Sequence, residues 1–237
     1  MRYELLGFDL DGTLVDTAGE IAAAANAALA DVGLAPQPPA EIAALIGSGT
    51  RELVRRLRVR ALEGPLAGAP AYEALLARFD AHYAELAGRG ARPYPGAHET
   101  LARLRAGGVR LACVTNKEAR FAARVLRSSG LDDCFDLVVG GDTLPERKPH
   151  PAVFAHVLAA LGGRPATSAH VGDSRIDVET ARGAGVAAWA VPWGYNGGAS
   201  VAEAAPDRLF DSLPAIAAHV LAANAAQAAP PRPKEDA

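Results

Sequence analysis

The sequence predicts an α/β protein in which helices cover both faces of a parallel β-sheet. After residue 96, short apolar runs that read as strands alternate with helical segments, as expected for a parallel sheet buried on both faces. Between residues 17 and 92 the pattern is almost entirely helical and contains no second strand. These two observations predict a Rossmann-like sheet core with an α-helical cap domain inserted after its first strand.

The elements are expected in a regular order. Tyr3 to Phe8 reads as the first strand, and segments rich in Pro and Gly divide the next region into about four helices. The later elements are helix 98–106, strand 109–116, helix 118–129, strand 135–141, helix 151–161, strand 168–174, helix 176–184 and strand 187–193. We therefore expect a core at residues 1–15 and 94–225, a cap at 16–93, and a disordered Ala- and Pro-rich tail at 226–237.

Composition narrows the possible partners. The 237 residues are 50% hydrophobic and carry a net charge of −3, which favours neither nucleic acid nor a membrane surface as a partner. No apolar run approaches the length of a membrane span and the N-terminus lacks a signal-peptide pattern, so we expect a cytoplasmic protein of undetermined oligomeric state. Cys113 and Cys134 lack metal-site spacing and are expected to be buried free thiols.

The segment FDLDGTL, residues 8–14, places Asp9 and Asp11 two positions apart within an apolar run. Three structural interpretations compete with a catalytic one. The Asp-Gly pair is typical of a hairpin turn, and the acid spacing partly fits a calcium loop that here lacks its required glycine. An aspartate can also cap a helix, but Thr17 and Glu20 already predict a capping box for the next helix.

Polar residues also follow the ends of the other predicted strands. In an open parallel sheet, ligands bind outside the carboxyl ends of the strands, so these residues are expected to converge with the two acids. Each one alone could be a helix cap or an exposed loop charge. Together they suit phosphoryl transfer to a carboxylate, with Mg²⁺ required to hold the acids and a phosphate together. The residues are Thr115, Asn116, Lys148, Asp173 and Asp177.

Four segments carry a resemblance to a known family. FDLDGTLVDT, VTNK, ERKPHP and GDSRID resemble, in order and spacing, the four motifs of the haloacid dehalogenase superfamily of aspartate-nucleophile phosphatases. The helical insertion after the first motif is similar to the cap of that superfamily. The resemblance implies a Mg²⁺-dependent phosphate monoester hydrolase that works through an aspartyl phosphate and acts on a small phosphorylated metabolite.

The resemblance also implies a role for each motif residue. The catalytic residues would be Asp9 as nucleophile, Asp11 as general acid and base, and Lys148 as the cation that steadies the charge. The metal would be held by Asp9, Asp173 and the main-chain carbonyl of Asp11, with Asp177 supporting them from outside. Phosphate would be bound by the hydroxyl of Thr115 and by the backbone near Asn116 and Gly12.

The substrate is suggested by more detailed similarity. GGDTLPERKPHP, GDSRIDVETARGAGV and VPWGYNGG resemble the bacterial phosphoglycolate phosphatase group, which implies 2-phosphoglycolate as substrate. Arg51, which follows the break at residues 47–50 in the cap, is a candidate contact for an acid substrate, and a solvated position on a basic helix is the alternative.

Three alternatives stay open. They are a phosphomutase of the β-phosphoglucomutase kind, a phosphatase for another small ester, and a non-catalytic protein that only binds at a phosphate site. Thr13, where the mutases usually have Val, favours a hydrolase, and the complete set of acids argues against a protein that only binds.

Overall fold

A computed structural model of the chain confirms the α/β class, and it describes residues 2–62 and 71–228. The sheet is built around β1 (Leu5–Phe8), which lies between β4 (Arg110–Val114) and β6 (Ser168–Gly172). It continues through β5 (Leu137–Val139) on one side and through β7 (Ala187–Ala190) and β8 (Arg208–Leu209) on the other. All five pairings are parallel.

Helices cover both faces of this sheet. Successive residues of a strand point to opposite faces, so Leu6 and Phe8 pack on one side while Leu5 packs on the other. The first face is covered by α5 (Ala97–Ala106), α6 (Ala119–Ser128) and α9 (Leu213–Ala228). The second is covered by α7 (Ala152–Ala160) and α8 (Arg175–Gly183).

A helical block follows β1 and has a hydrophobic cluster of its own. It contains α1 (Ala18–Asp31), α2 (Pro39–Ala43), α3 (Thr50–Ala61) and α4 (Tyr72–Leu86). The chain enters the block through β2 (Val15–Asp16) and leaves it through β3 (Arg92–Pro93), and these two short strands pair antiparallel. The domain boundaries at 15/16 and 93/94 stay a prediction.

The hydrophobic cluster of the helical block includes one residue from the sheet-covering layer. Phe121 of α6 is buried in that cluster, and its ring packs edge-on against Tyr83 of α4 with 4.8 Å between ring centroids. On the same side of the molecule Arg120 pairs with Asp80. The block and the core are therefore joined by apolar packing as well as by charge.

The predicted capping box at the start of α1 is wrong. Thr17 makes no side-chain cap hydrogen bond, because its hydroxyl donates to Oδ1 of Asp11 at 2.6 Å. The buried Glu20 carboxylate instead accepts hydrogen bonds from the far end of the block, from the hydroxyl of Tyr83 at 3.0 Å and from the main-chain N–H groups of Gly88 and Gly90. Glu20 thus ties the first cap helix to the segment that leaves the last one.

The C-terminal part of the chain also differs from expectation. Helix α9 continues to Ala228, so the expected disorder at 226–228 is wrong, and residues 229–237 lie outside the described residues. Neither α9 nor β8 was predicted. The Ala-rich sequence of α9 has little contrast between its faces, so its periodicity gives a weak signal. No helix in the described part of the chain is long and apolar enough to cross a membrane.

The two cysteines are free thiols, as predicted, although only one is fully buried. Cys113 lies within β4 and is inaccessible, while Cys134 is partly exposed.

Replacing Glu20 with Ala should destabilise the fold. The change leaves the Tyr83 hydroxyl and two N–H groups without their acceptor, so we expect the free energy of unfolding to fall by about 2–4 kcal/mol. Urea unfolding followed by circular dichroism measures this. Glu73→Ala, an exposed position on α4, is the matched control and should change stability by no more than about 0.5 kcal/mol. Equal stability of the two variants would show that the Glu20 hydrogen bonds contribute nothing net.

Candidate active site

The first part of the site is a tight turn that directly follows β1. Asp9 and Asp11 are both buried there. The N–H groups of Leu14 and Val15 both donate to the carbonyl of Leu10 at 3.0 Å, so the chain turns back as the Asp-Gly pair suggested. It does not return along β1, however, because Val15 pairs with β3 instead. The segment is a turn that carries two acids and not a β-hairpin.

Glycine at position 12 is required by this turn. Its φ is +84°, and a Cβ atom there would lie 2.6 Å from Oδ2 of Asp173. The main chain of the turn therefore approaches the Asp173 carboxylate more closely than any other residue would permit. This close approach brings the end of β1 and the end of β6 together.

Three carboxylates meet at this edge of the sheet. Oxygens of Asp9, Asp173 and Asp177 lie within 4.8 Å of one another. The ammonium of Lys148, itself buried, lies 2.9 Å from Oδ1 of Asp9 and 2.6 Å from Oδ1 of Asp177. The ring of His170 contacts the same Asp177 oxygen at 3.2 Å. The structure thus brings together the predicted Asp9, Lys148, Asp173 and Asp177.

Asp177 and Asp173 are held in different ways. Asp177 accepts from the Ser174 hydroxyl at 2.6 Å and from the Ser174 N–H at 3.2 Å, and so forms the capping box that starts α8. Asp173 accepts from the Thr13 hydroxyl at 2.9 Å and from the N–H of Tyr195 at 2.7 Å. The oxygens of Asp177 are therefore already bound by Lys148 and by the N-terminus of α8. Asp173 is oriented by the turn after β1 and the loop after β7.

The pKa values of the three acids are shifted in different directions. Burial, reinforced by neighbouring carboxylates, raises the pKa of Asp9 to about 7 despite the opposing effect of Lys148. Burial and the charge of Asp9 raise the pKa of Asp173 to about 8. Burial also acts to raise the pKa of Asp177, but Lys148 and His170 outweigh it and the pKa is lowered. The positive charge of Lys148 alone therefore does not neutralise the three buried carboxylates.

This donor set fits a divalent cation. Mg²⁺ prefers oxygen ligands, and its charge would favour the ionised form of both carboxyls with raised pKa values. Asp9 and Asp173 are the side chains in position to hold it, since Asp177 is already bound to Lys148 and Ser174. The fit rests on the chemistry of these two residues, which are buried carboxylates with oxygen donors only, beside a single ammonium, Lys148.

The loop after β4 supplies the next set of polar groups. The side chains of Thr115 and Asn116 are buried. The hydroxyl of Thr115 accepts the N–H of Lys117 at 3.2 Å. The Asn116 amide donates to the carbonyls of Gly47 at 2.9 Å and Lys148 at 3.0 Å. Asn116 thus links the break between cap helices to the lysine loop, a use of its side chain that sequence reasoning did not foresee.

A cavity of about 40 Å³ lies between these loops and the helical block. Asp9 and Asp11 lie on its core side together with the loop after β4. The cap side is mainly apolar and is formed by Ile21, Ile46, Leu53, Phe79 and Tyr83, with Gly47, Gly49 and Thr50. A space of this size admits only a small group.

Arg51 does not reach this cavity. Its side chain is exposed on α3, and its carbonyl accepts the Tyr72 hydroxyl at 3.1 Å. The preceding residue, Thr50, lines the cavity and donates to Glu118 at 2.7 Å. The structure therefore does not bring Arg51 together with the other predicted site residues.

Two residues of the site were missed by sequence reasoning. The ammonium of Lys117 is buried, lies 3.0 Å from Oδ1 of Asp11 and stands 4.8 Å from the centroid of the Tyr83 ring. Its signal was a lysine placed directly after the end of a buried strand, within VTNK.

The second missed residue is Tyr195. Its hydroxyl donates to Asp16 at 2.6 Å and accepts hydrogen bonds from the N–H groups of Thr17 and Ala18. Tyr195 lies in the VPWGYNGG segment quoted above, but no pattern within that segment pointed to the tyrosine itself.

Comparison with known proteins places the chain in a family. Residues 7–191 match the model described as haloacid dehalogenase-like hydrolase. The phosphoglycolate phosphatase of Nitrosospira multiformis is 42% identical over 208 residues, which cover 86% of this chain and 90% of that protein. Among solved structures, a predicted phosphoglycolate phosphatase from Haemophilus somnus has a TM-score of 0.86 at 35% identity, with 91% of this chain and 97% of the other covered.

A second solved structure extends the comparison. CbbY from Rhodobacter sphaeroides, in complex with phosphate, has a TM-score of 0.75 at 26% identity and covers 90% of this chain and 95% of its own. The family model spans most of the chain, including the turn after β1, the Thr115 loop, Lys148 and the Asp173 loop. The chain belongs to the haloacid dehalogenase-like hydrolase family.

Proposed function

We propose that the protein is a Mg²⁺-dependent phosphate monoester hydrolase whose substrate is 2-phosphoglycolate. The observation that carries this proposal is the position of Asp9, which is buried beside Lys148 and Asp173 and faces a small cavity next to Asp11. Relatives that carry the name phosphoglycolate phosphatase support the choice of ester. The expectation of a cytoplasmic location stays a prediction.

Asp9 acts as the nucleophile. A carboxylate oxygen of Asp9 attacks phosphorus, the bond from phosphorus to the ester oxygen breaks, and an aspartyl phosphate forms. Lys148, 2.9 Å from Asp9, opposes the negative charge that collects there, and the Thr115 hydroxyl on the cavity wall can donate to a phosphate oxygen. The carboxylate must be ionised to attack, which the adjacent ammonium favours.

Asp11 moves the proton. In its protonated form it donates to the departing ester oxygen, and as a carboxylate it then takes a proton from the water that attacks the aspartyl phosphate. That second attack breaks the bond between phosphorus and Asp9 and releases inorganic phosphate. The Thr17 hydroxyl, 2.6 Å from Oδ1 of Asp11, holds this carboxyl in place for both steps, and the Lys117 ammonium lies 3.0 Å from the same oxygen.

Asp9, Asp173 and the main-chain carbonyl of Asp11 are the residues that we propose hold Mg²⁺. When bound, the ion neutralises carboxylate and phosphate charge and orients the phosphate for attack. Thr13 and the Tyr195 N–H keep the Asp173 oxygens pointed into the site. Asp177 supports this set indirectly, through Lys148.

Asp9→Asn should reduce phosphate release by at least about a thousandfold, because the amide is a poor nucleophile. Steady-state phosphate release from 2-phosphoglycolate measures this in a preparation checked by mass spectrometry for deamidation. Asp133→Asn changes an exposed residue of the α/β core domain, away from the site. It is the matched control and should retain full activity. Near-native turnover by intact Asp9→Asn would contradict the aspartyl-phosphate mechanism.

Metal removal should make stability depend more strongly on pH. The folded-state pKa values of Asp9 and Asp173, about 7 and about 8, lie above their ordinary value of 3.8. Between about pH 4 and pH 8 the folded protein holds protons that the unfolded chain has released, so stability falls as pH rises. Mg²⁺ binds the ionised carboxylates and should oppose this fall.

Melting temperatures from about pH 5 to pH 8, in EDTA and in excess Mg²⁺, measure this difference. The two curves should diverge with rising pH, and Asp173→Asn should bring them together, since it removes one of the two titrating carboxyls. Superimposed wild-type curves would contradict Mg²⁺ binding at this site.

The choice of substrate is tested by comparing kcat/KM across a panel. We expect 2-phosphoglycolate to exceed glucose 1-phosphate, phosphoserine and a nucleoside monophosphate, because the cavity between cap and core is small. A higher kcat/KM for the sugar phosphate would overturn the substrate while leaving the Asp9 mechanism standing.

A further inference from the structure

Lys117 is a buried cation with more capacity than its contacts in the protein use. Only 4% of its side chain is exposed. Its ammonium pairs with Oδ1 of Asp11 at 3.0 Å and lies over the Tyr83 ring. An ammonium has three N–H donors, and Oδ1 of Asp11 is placed to accept one of them. A buried charge is retained only where partners compensate for its lost hydration, so a further anionic partner would be stabilising.

The two buried lysines of the site stand beside different acids. Lys148 contacts Asp9, on the side where phosphorus is attacked. Lys117 contacts Asp11, which delivers the proton to the departing ester oxygen. A group attached close to that oxygen therefore lies on the side of Lys117. In phosphoglycolate this group is a carboxylate, one carbon away from the ester oxygen.

The cavity offers few other partners for a carboxylate. Among the described residues that line it, Lys117 is the only cation. The cap side is largely apolar, and Asp9 and Asp11 would repel a carboxylate. Arg51, the cation expected from the sequence, is exposed on α3 and outside the cavity.

Asp11 does not depend on Lys117 alone. The Thr17 hydroxyl donates to the same Asp11 oxygen at 2.6 Å, so this carboxylate keeps a strong hydrogen bond when the ammonium turns toward a ligand. The main-chain N–H of Lys117 is anchored on the Thr115 hydroxyl, which fixes the backbone from which the lysine extends. Lys117 thus extends its ammonium into the site from a fixed position of the main chain.

We propose that Lys117 determines specificity by pairing its ammonium with the carboxylate of the substrate's leaving group. The enzyme then prefers phosphate esters that carry a carboxylate next to the ester carbon over neutral esters of the same length. This proposal rests on the phosphatase function proposed above and adds the residue that recognises the acid.

The test compares kcat/KM for 2-phosphoglycolate and for 2-hydroxyethyl phosphate, which has a hydroxymethyl group in place of the carboxylate. Lys117→Met keeps an unbranched side chain, one atom shorter, and removes the charge, so we expect the preference for phosphoglycolate to fall roughly tenfold or more. Any general loss through Asp11 affects both esters and cancels in the ratio. Lys117→Arg should retain part of the preference.

Two controls accompany these variants. Arg78→Met removes an exposed cap cation and should leave both values unchanged. Arg51→Met should leave the ratio of the two kcat/KM values unchanged. If Arg51→Met lost the preference for phosphoglycolate while Lys117→Met kept it, Arg51 would be the residue that recognises the carboxylate and the proposal would be overturned. An equal loss on both esters in Lys117→Met would also overturn it, because Lys117 would then act only on Asp11 or the phosphate.

A further comparison uses only the wild-type enzyme, so it does not depend on whether the substituted proteins fold. The wild-type enzyme should hydrolyse 2-aminoethyl phosphate less efficiently than 2-hydroxyethyl phosphate, because an ammonium would face Lys117. Equal or faster hydrolysis of the amino ester would overturn the proposal. A wild-type enzyme that turns over neither phosphoglycolate nor the neutral ester would instead refute the proposed phosphoglycolate phosphatase function.

Discussion

The concentration of buried negative charge at one edge of the sheet is the constraint on which the rest of the structure depends. Asp9, Asp173 and Asp177 lie within 4.8 Å of one another, and Lys148 is the ammonium placed between two of them. Such a cluster survives burial only where each oxygen is compensated. The close turn at Gly12, the capping box of α8 and the Tyr195 N–H are all arrangements that supply donors or hold acids there.

The position of the insertion follows from the same constraint. The helical block begins a few residues after Asp11, so the hydroxyl that holds Asp11 comes from Thr17 at the start of α1. Asn116 connects the loop after β4 to Gly47 in the block. Cap and core therefore share hydrogen bonds with the catalytic segments, and the shape of the cavity is coupled to the orientation of Asp11.

The sequence predicted the class of fold and most of the acid cluster because both have local signals. Apolar strand runs alternate with helices, and Asp9, Lys148 and Asp173 each follow a strand end. Residues whose roles depend on distant partners could not be foreseen in this way. Glu20 fitted a capping box by spacing but binds Tyr83 and Gly88. Thr13, which was taken to favour a hydrolase over a mutase, holds the Asp173 carboxylate. Arg51 was favoured for its charge, although the buried cation at the cavity is Lys117.

The burial of Phe121 among the cap helices has a thermodynamic consequence. Any separation of α4 from α6 must withdraw this ring from the Tyr83 side and expose apolar surface to water. Exposure of apolar surface raises the heat capacity, so the enthalpy of such an opening grows with temperature and its equilibrium follows a curved van't Hoff plot. The Arg120–Asp80 pair responds instead to ionic strength. Temperature and salt thus act on two separate parts of one contact between cap and core.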